Sequence, residues 1–325
     1  RPVAVNISYG HNYGDHRGNS LLERFISQIA QQWKCTICIG TGNEGNSGKH
    51  KQGKLIKEEQ KILLDIAPFE QNLNLQIWKD FVDELRIQLV SPSGISYEIT
   101  DQQGKSQYSY GNTIVFVYNG YPTPYNVRQE IFLSFIVQEG EHIESGQWAL
   151  TLIPRNIRNG EYQMWLPVSS GNNQETRFLE PDKEFTLTIP STAENVISAG
   201  AYDVRYQSYA DFSGRGDQRY GVKKPDLVAP GVGILAAAPG GGENSLSGTS
   251  MATPFVTGSA ALLMEWGIVR GNDPFLYGEK VKAYLRKGAR RLPSELAYPN
   301  PRLGYGALCV ADSLPKKFVN FLENF

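Results

Sequence analysis

The 325-residue chain carries 32 Lys plus Arg against 33 Asp plus Glu, a formal charge of −1, which supplies neither a nucleic-acid footprint nor a polybasic membrane patch. Hydrophobic residues at 40% exclude a disordered chain, and the length implies about two domains. The longest apolar stretches read as strand-sized, so no membrane span is expected.

Arg1-Pro2 leads at once into the strand pattern Val3 to Ile7, with no initiating Met or signal peptide. The numbering is therefore expected to start inside a longer polypeptide. A polar, Gly-rich stretch from Tyr9 to Asn19 follows. Ser20 with Glu23 makes a capping-box pattern, and Leu22, Phe25, Ile26, Ile29 and Trp33 recur at helical spacing. Cys35 to Ile39 is a second strand, closed by the loop Gly40-Thr41-Gly42-Asn43-Glu44-Gly45-Asn46. Strand, helix and strand of this kind imply a parallel sheet with a right-handed crossover. Cys35 and Cys38 have CxxC spacing, but positions i and i+3 of a strand face opposite sides, so they read as small core residues. With Cys309 the count is odd, which excludes a complete disulfide framework.

From about Lys51 the texture becomes alternation with period two. Leu85 to Leu89, Thr113 to Tyr118, Ile131 to Val137, Trp148 to Ile153, Tyr162 to Leu166 and Phe185 to Ile189 read as strands. Turns such as Asn119-Gly120, Glu139-Gly140, Ser145-Gly146 and Asn159-Gly160 separate them, and no helix is expected between Gln71 and Thr192. An antiparallel sandwich, a jelly roll, is the natural solution. Leu85, Ile87, Leu89, Ile131, Leu133, Phe135, Trp148, Leu150 and Leu152 should contribute to its core. After Pro190 the α/β texture returns, with strands at 196–201 and 225–231, a small-residue helix from Ser250 to Gly267 and a second from Glu279 to Lys287. The expected architecture is one discontinuous α/β domain, residues 1–52 and 184–325, with a β-domain at 53–183 inserted into it.

The sharpest chemical signal is Ser247-Gly248-Thr249-Ser250-Met251-Ala252-Thr253-Pro254. A Ser after a Gly-Thr turn opens a helix there, which exposes its hydroxyl and aims the helix N-terminus at negative charge forming beside it. A lone Ser before a helix is more often a plain N-cap. The whole octapeptide decides against that meaning.

Through this octapeptide the chain resembles the subtilisin-like serine proteases. Gly42-Asn43-Glu44-Gly45 is similar to the family's oxyanion-hole loop, and Asn6-Ile7-Ser8-Tyr9-Gly10 to the strand and loop lining its specificity pocket. Phe212-Ser213-Gly214-Arg215-Gly216 and Lys224 to Gly231 also match family blocks in the correct order. The resemblance implies a doubly wound parallel sheet whose N-terminal part is missing. It implies Ser250 as nucleophile, Asn43 as oxyanion donor, Thr249 and Gly42 as supports, and Ser8, Tyr9, Gly10, Gly40 and Thr41 as substrate pocket. A single Asn beside Gly otherwise reads as a loop residue satisfying backbone. The inserted β-domain resembles that of the clostridial Csp germination proteases, partly through Gly160 to Pro167. That resemblance implies a spore or other extracytoplasmic location and a protein pro-enzyme as substrate.

The departure lies in the other two triad members. Subtilisin-type chains run Asp, His, Ser, and no Asp-Ser-Gly, Asp-Thr-Gly or His-Gly-Thr-His occurs here. Of the four histidines, His11 and His16 with Asp15 form a tempting base or metal cluster, but side chains in such a polar loop are expected to be solvated. His50 and His142 are expected at the surface. The catalytic Asp and His are therefore expected on an N-terminal segment outside this chain, the intact Ser250 and Asn43 motifs favouring this over a pseudoprotease that binds or signals. A parallel sheet begun at Val3 would otherwise expose apolar edges to water. Besides that segment the expected partner is a polypeptide substrate. No cofactor or metal site is identifiable, and the structural calcium common in the family has no acidic loop to place it. A third reading makes the β-domain a carbohydrate-binding module, through Tyr108, Tyr110, Tyr118 and Tyr121.

Overall fold

The structure, a computed structural model, describes residues 1–32, 34–138, 140–217, 219 and 223–314. In chain order it runs β1 (Val3–Ile7), α1 (Leu21–Gln31), β2 (Cys35–Gly40), β3 (His50–Lys54), β4 (Gln60–Ile66), β5 (Asn72–Asp80), β6 (Glu84–Val90) and β7 (Ser96–Thr100). Next come β8 (Gly104–Tyr110), β9 (Thr113–Asn119), β10 (Arg128–Val137), β11 (Gly146–Asn156), β12 (Glu161–Trp165) and β13 (Arg177–Phe178). The last part holds β14 (Ile197–Asp203), β15 (Ser208–Tyr209), β16 (Leu227–Pro230), β17 (Ile234–Ala237), β18 (Glu243–Leu246), α2 (Thr249–Met264), α3 (Glu279–Gly288) and α4 (Val310–Ser313). Two units result. The first is Arg1–Tyr9 with Leu22–Gly42 and Pro190–Phe325, and the second is Gly10–Leu21 with Asn43–Ile189.

The first unit is built on a parallel sheet. β1 pairs β2 from Val3↔Cys35 to Ile7↔Ile39, β2 pairs β14, and β14 pairs β16, all in parallel. Alternation along the strands assigns the two faces. Val5, Ile7, Ile37 and Ile39 pack with Ile26 and Ala30 of α1. Ala4, Cys38, Ile197, Ala199 and Ala201 face Ala252, Val256 and Ala260 of α2. Helices therefore cover both faces, as parallel strands require. β1 is the last strand in that sheet order, and Leu22, Phe25 and Ile29 of α1 are exposed. Trp33, the fifth residue of that helical pattern, lies outside the described residues. By length and composition 249–269 could cross a membrane, against the expectation of strand-sized apolar runs only. Here α2 instead buries Ala252, Val256, Ala260, Leu263 and Met264 in the unit's core.

The second unit holds two antiparallel sheets, ordered β3-β12-β5-β10-β9-β8 and β13-β4-β11-β6-β7. Their inward residues make one core. Leu85, Ile87, Leu89, Ile131, Leu133, Phe135, Trp148, Leu150 and Leu152 are all buried in it. No helix lies between Gln71 and Thr192 among the described residues. Phe185–Ile189, expected as a strand, forms none: Phe185 sits in a bend with φ +62°, and the segment joins only a single bridge, Ile189 with His11. The bridge also explains why Gly10–Leu21, expected in the α/β domain, belongs to this unit.

Candidate active site

Ser250 is the second residue of α2, whose N-cap is Gly248 with no side-chain cap. It is therefore not a capping serine. Met251 and Ala252 donate their N–H groups to Gly248 O at 3.1 and 3.3 Å. The Ser250 N–H, one of the orphan donors of a helix start, has no acceptor among the described residues of its unit. Its hydroxyl likewise makes no hydrogen bond there. The residue is half-buried, with its oxygen and its N–H at the positive end of a 16-residue helix.

Pro254 shapes this turn. It lacks the N–H that would bond to the carbonyl four residues back, which is that of Ser250. The Ser8 hydroxyl donates to that carbonyl at 3.2 Å and accepts from the Asn6 amide at 3.0 Å. Asn6 also accepts from the Thr257 hydroxyl at 3.0 Å. The end of β1 is thus fastened along one side of α2. The sequence signal for this bond is the proline four residues after the serine.

The end of β2 is fastened on the other side. A Cβ on Gly40 would lie 2.9 Å from Thr253 Oγ1 and 3.2 Å from Thr249 Oγ1, so only glycine allows the strand this close. Thr41 is fully buried, its N–H on Ala199 O at 3.0 Å and its hydroxyl 3.4 Å from that of Ser213. Gly42 donates to Thr249 Oγ1 at 3.1 Å and accepts from the Gly214 N–H at 2.8 Å. Gly231 O receives the Gly248 N–H at 2.8 Å. Ser8, Gly40, Thr41, Gly42 and Thr249 are therefore gathered at the start of α2, with Asn6, Ser213, Thr253 and Thr257 added by the structure. Tyr9 is exposed at the end of this unit's first segment, whereas Gly10 and Asn43 belong to the second unit.

In the same unit, Asp226 is fully buried and accepts from Ser198 N–H at 2.5 Å, Ser198 hydroxyl at 2.8 Å and Arg286 Nε at 3.0 Å. Burial pushes its pKa up, but Lys224, Lys282, Arg286 and the Ser198 bond outweigh it and hold the carboxyl below its usual range. The Ser198–Asp226 bonds tie the start of β14 to the residue preceding β16.

All four histidines lie in the second unit. His16 and His50, expected to be solvated or at the surface, are buried. The His16 ring stacks on Trp165 at 4.1 Å and its nitrogens lie 2.6 Å from Leu187 O and 3.2 Å from Asn12 O. Burial lowers its pKa to about 3. His50 stacks on the same indole at 5.1 Å and meets the Gln163 side chain at 2.7 Å. Burial lowers its pKa too. Asp15 accepts from Asn19, Asn126 and the Arg17 N–H rather than joining His16 in a cation site. His142 is half-buried, edge-on to Phe69. Tyr110, offered among the exposed aromatics, is fully buried in the core, because it packs edge-on against Trp148.

The sequence profile of the Subtilase family, peptidase S8, matches residues 133–306, more than half of the chain. The chain belongs to the subtilase family. This subtilase is 33% identical over 169 residues to the serine protease AprX of Bacillus subtilis, covering 46% of this chain and 34% of AprX. It is 42% identical over 106 residues to Subtilisin-like protease 1 of Trichophyton equinum, covering 32% of this chain and 18% of that protein. Its fold is similar to that of the Clostridium perfringens CspB protease, with a TM-score of 0.90 and 42% identity over 96% of this subtilase and 65% of that chain. The chain thus spans about a third of AprX and under two thirds of the CspB chain.

Proposed function

We propose that this chain is the nucleophile-bearing part of a subtilisin-type serine endopeptidase that cleaves polypeptides through an acyl-enzyme at Ser250. In the reaction Ser250 Oγ attacks the scissile carbonyl as a histidine takes its proton. The histidine gives that proton to the departing amine as the C–N bond breaks. It then takes one from the water that hydrolyses the acyl-enzyme and returns it to Ser250. The oxyanion is met by the unpaired Ser250 N–H and the Asn43 side-chain amide. Support for that pairing is the bond from Gly42, the residue before Asn43, to Thr249, the residue before Ser250.

The single observation carrying this reading is a half-buried serine near a helix start, with an orphan N–H and no histidine in its unit. The catalytic His and Asp therefore come from an N-terminal segment. Exposed Leu22, Phe25, Ile29, Phe255 and Leu262, on the helices either side of terminal strand β1, support that assignment. The second unit is on this reading an inserted jelly roll, supported by the interleaved orders β3-β12-β5-β10 and β4-β11-β6-β7. The likeness to CspB supports a Csp-type role, with a pro-enzyme substrate in a spore.

Fluorophosphonate labelling tests the proposal. The complete polypeptide should be modified at Ser250, and neither its Ser250→Ala variant nor the 325-residue chain alone should react appreciably. A complete polypeptide left unlabelled at a folded Ser250 would instead identify a silent protease used for binding.

A further inference from the structure

One end of the second unit carries a cleft of about 1010 Å³, lined by the turn at Phe81–Arg86, the loop at Thr100–Gln103, Tyr121, Gln129 and the end of β11 with Arg158. Its walls are fixed from behind. The buried Asp83 carboxylate accepts three backbone N–H groups, from Arg158 at 2.6 Å, Asn159 at 2.9 Å and Gly160 at 2.8 Å. Buried Lys79 pairs with Asp101 at 3.1 Å, and Asp101 also accepts the Leu85 N–H at 3.0 Å. Asn119 donates to Thr100 O and Gln102 O, and buried Gln129 donates to Asp101 O. Three segments, at Phe81–Arg86, Thr100–Gln103 and Arg158–Gly160, are thereby held in one arrangement before any ligand arrives, which lowers the entropic cost of binding.

The charges left for a ligand differ from the charges present. Asp83 and Asp101 are satisfied internally, and Arg86 is paired with Glu98 at 2.5 Å. Among the described residues, the side chains of Arg155 and Arg158 have no such partner, and Glu84 is the remaining lining carboxylate. Beside these guanidinium groups stand Tyr121 and Phe81, 68% and 41% exposed, and the exposed amides of Gln102 and Gln103.

We propose that this cleft binds an acidic oligosaccharide, with Arg155 and Arg158 taking its carboxylates and Tyr121 and Phe81 lying against its ring faces. Planar guanidinium groups match a carboxylate by two parallel hydrogen bonds. Flat aromatic surfaces suit the C–H face of a pyranose, and the glutamine amides suit its hydroxyls. The volume lies at the upper end of the roughly 300–1,000 Å³ usual for small-molecule sites, room for several rings. A peptide is favoured less, because the lining offers no apolar groove and the terminal strand β7 reaches it only at Thr100.

Calorimetric titration of the 325-residue chain with tetragalacturonate, maltotetraose and tetraglutamate decides the matter. Tetragalacturonate should bind about tenfold or more tightly than maltotetraose, and Arg155→Ala with Arg158→Ala should remove about tenfold of that affinity. Tyr121→Ala should weaken the acidic sugar and leave unfolding unchanged, since its ring is exposed. The Asp83 anchor uses only the Arg158 backbone, so the arginine variants keep the loop. No binding of the acidic sugar, equal binding of maltotetraose, or no effect of the arginine or tyrosine variants overturns the proposal. Tetraglutamate binding as tightly as the sugar overturns it in favour of a peptide site.

Discussion

Where α2 meets the sheet, the first unit buries alanine; between its two sheets, the second buries tryptophan, tyrosine and phenylalanine. Ala199, Ala201, Ala229, Ala252 and Ala260 are fully buried in the one; Trp148, Tyr110, Phe135 and Leu133 in the other. Small side chains let α2 lie close to the strand ends, so atoms around Ser250 are placed by backbone approach and single hydrogen bonds, as at Gly40 and Gly42. Large side chains hold two sheets apart and fill the gap, which leaves the second unit's chemistry to its end loops. The first unit's order should therefore rest on polar contacts, and the second's on apolar volume.

The largest expected effects break each unit by its own means. Asp226→Ala strands Arg286 and Lys224 beside a buried gap and should destabilise the first unit by roughly 3–5 kcal/mol. Trp148→Ala opens a cavity in the second and should destabilise it by about 3–5 kcal/mol. Denaturant unfolding, with hydrogen exchange assigning each loss to its unit, checks both. The contrast fails if Trp148→Ala loosens the amides around Ser250 as much as those of β11.

Acid sharpens the contrast. Burial lowers His16 to about 3 and lowers His50 as well, so both rings are neutral in the folded second unit. An unfolded imidazole titrates near 6.5. The folded state then binds fewer protons, so this stability is complete above that value and is lost as pH falls towards 3. The His16 ring contributes up to about 1.4 kcal/mol per pH unit across that window, and His50 adds in the same direction. The second unit should therefore lose protection steadily below pH ~6.5, and His16→Gln should flatten that slope. A second unit equally stable at the top and bottom of the window contradicts this.

Those histidines also mark what the sequence could not disclose. The nucleophile octapeptide, the parallel strands and the period-two core of β6, β10 and β11 were legible because each signal is local. His16 in a Gly-rich loop looked solvated, since its burial depends on Trp165 and Leu187, far along the chain. β3 and β5 are hidden in the sequence for a related reason. His50 in β3 and Lys79 in β5 stand at buried positions, and both have partners contributed elsewhere, Gln163 and Asp101; β4 keeps its alternation at Ile62, Leu64 and Ile66. Asn6 and Thr257 were visible as residues, but their bond appears only once β1 lies against α2.

The smallest effect tests the finest part of the first unit. Ser8 donates to the carbonyl that Pro254 leaves without a helical partner. Ser8→Ala should cost about 0.5–1.5 kcal/mol of first-unit stability, because the Ser250 carbonyl loses its donor and Asn6 loses an acceptor. Restoring the helical donor is the stricter measurement. Pro254→Ala supplies an N–H to the same carbonyl, so in that background Ser8→Ala should cost less. The two changes should couple in a double-mutant cycle, since they serve one oxygen. Additive costs would mean that the Ser8 hydroxyl holds the strand through Asn6 alone. The start of α2 would then owe nothing to the proline.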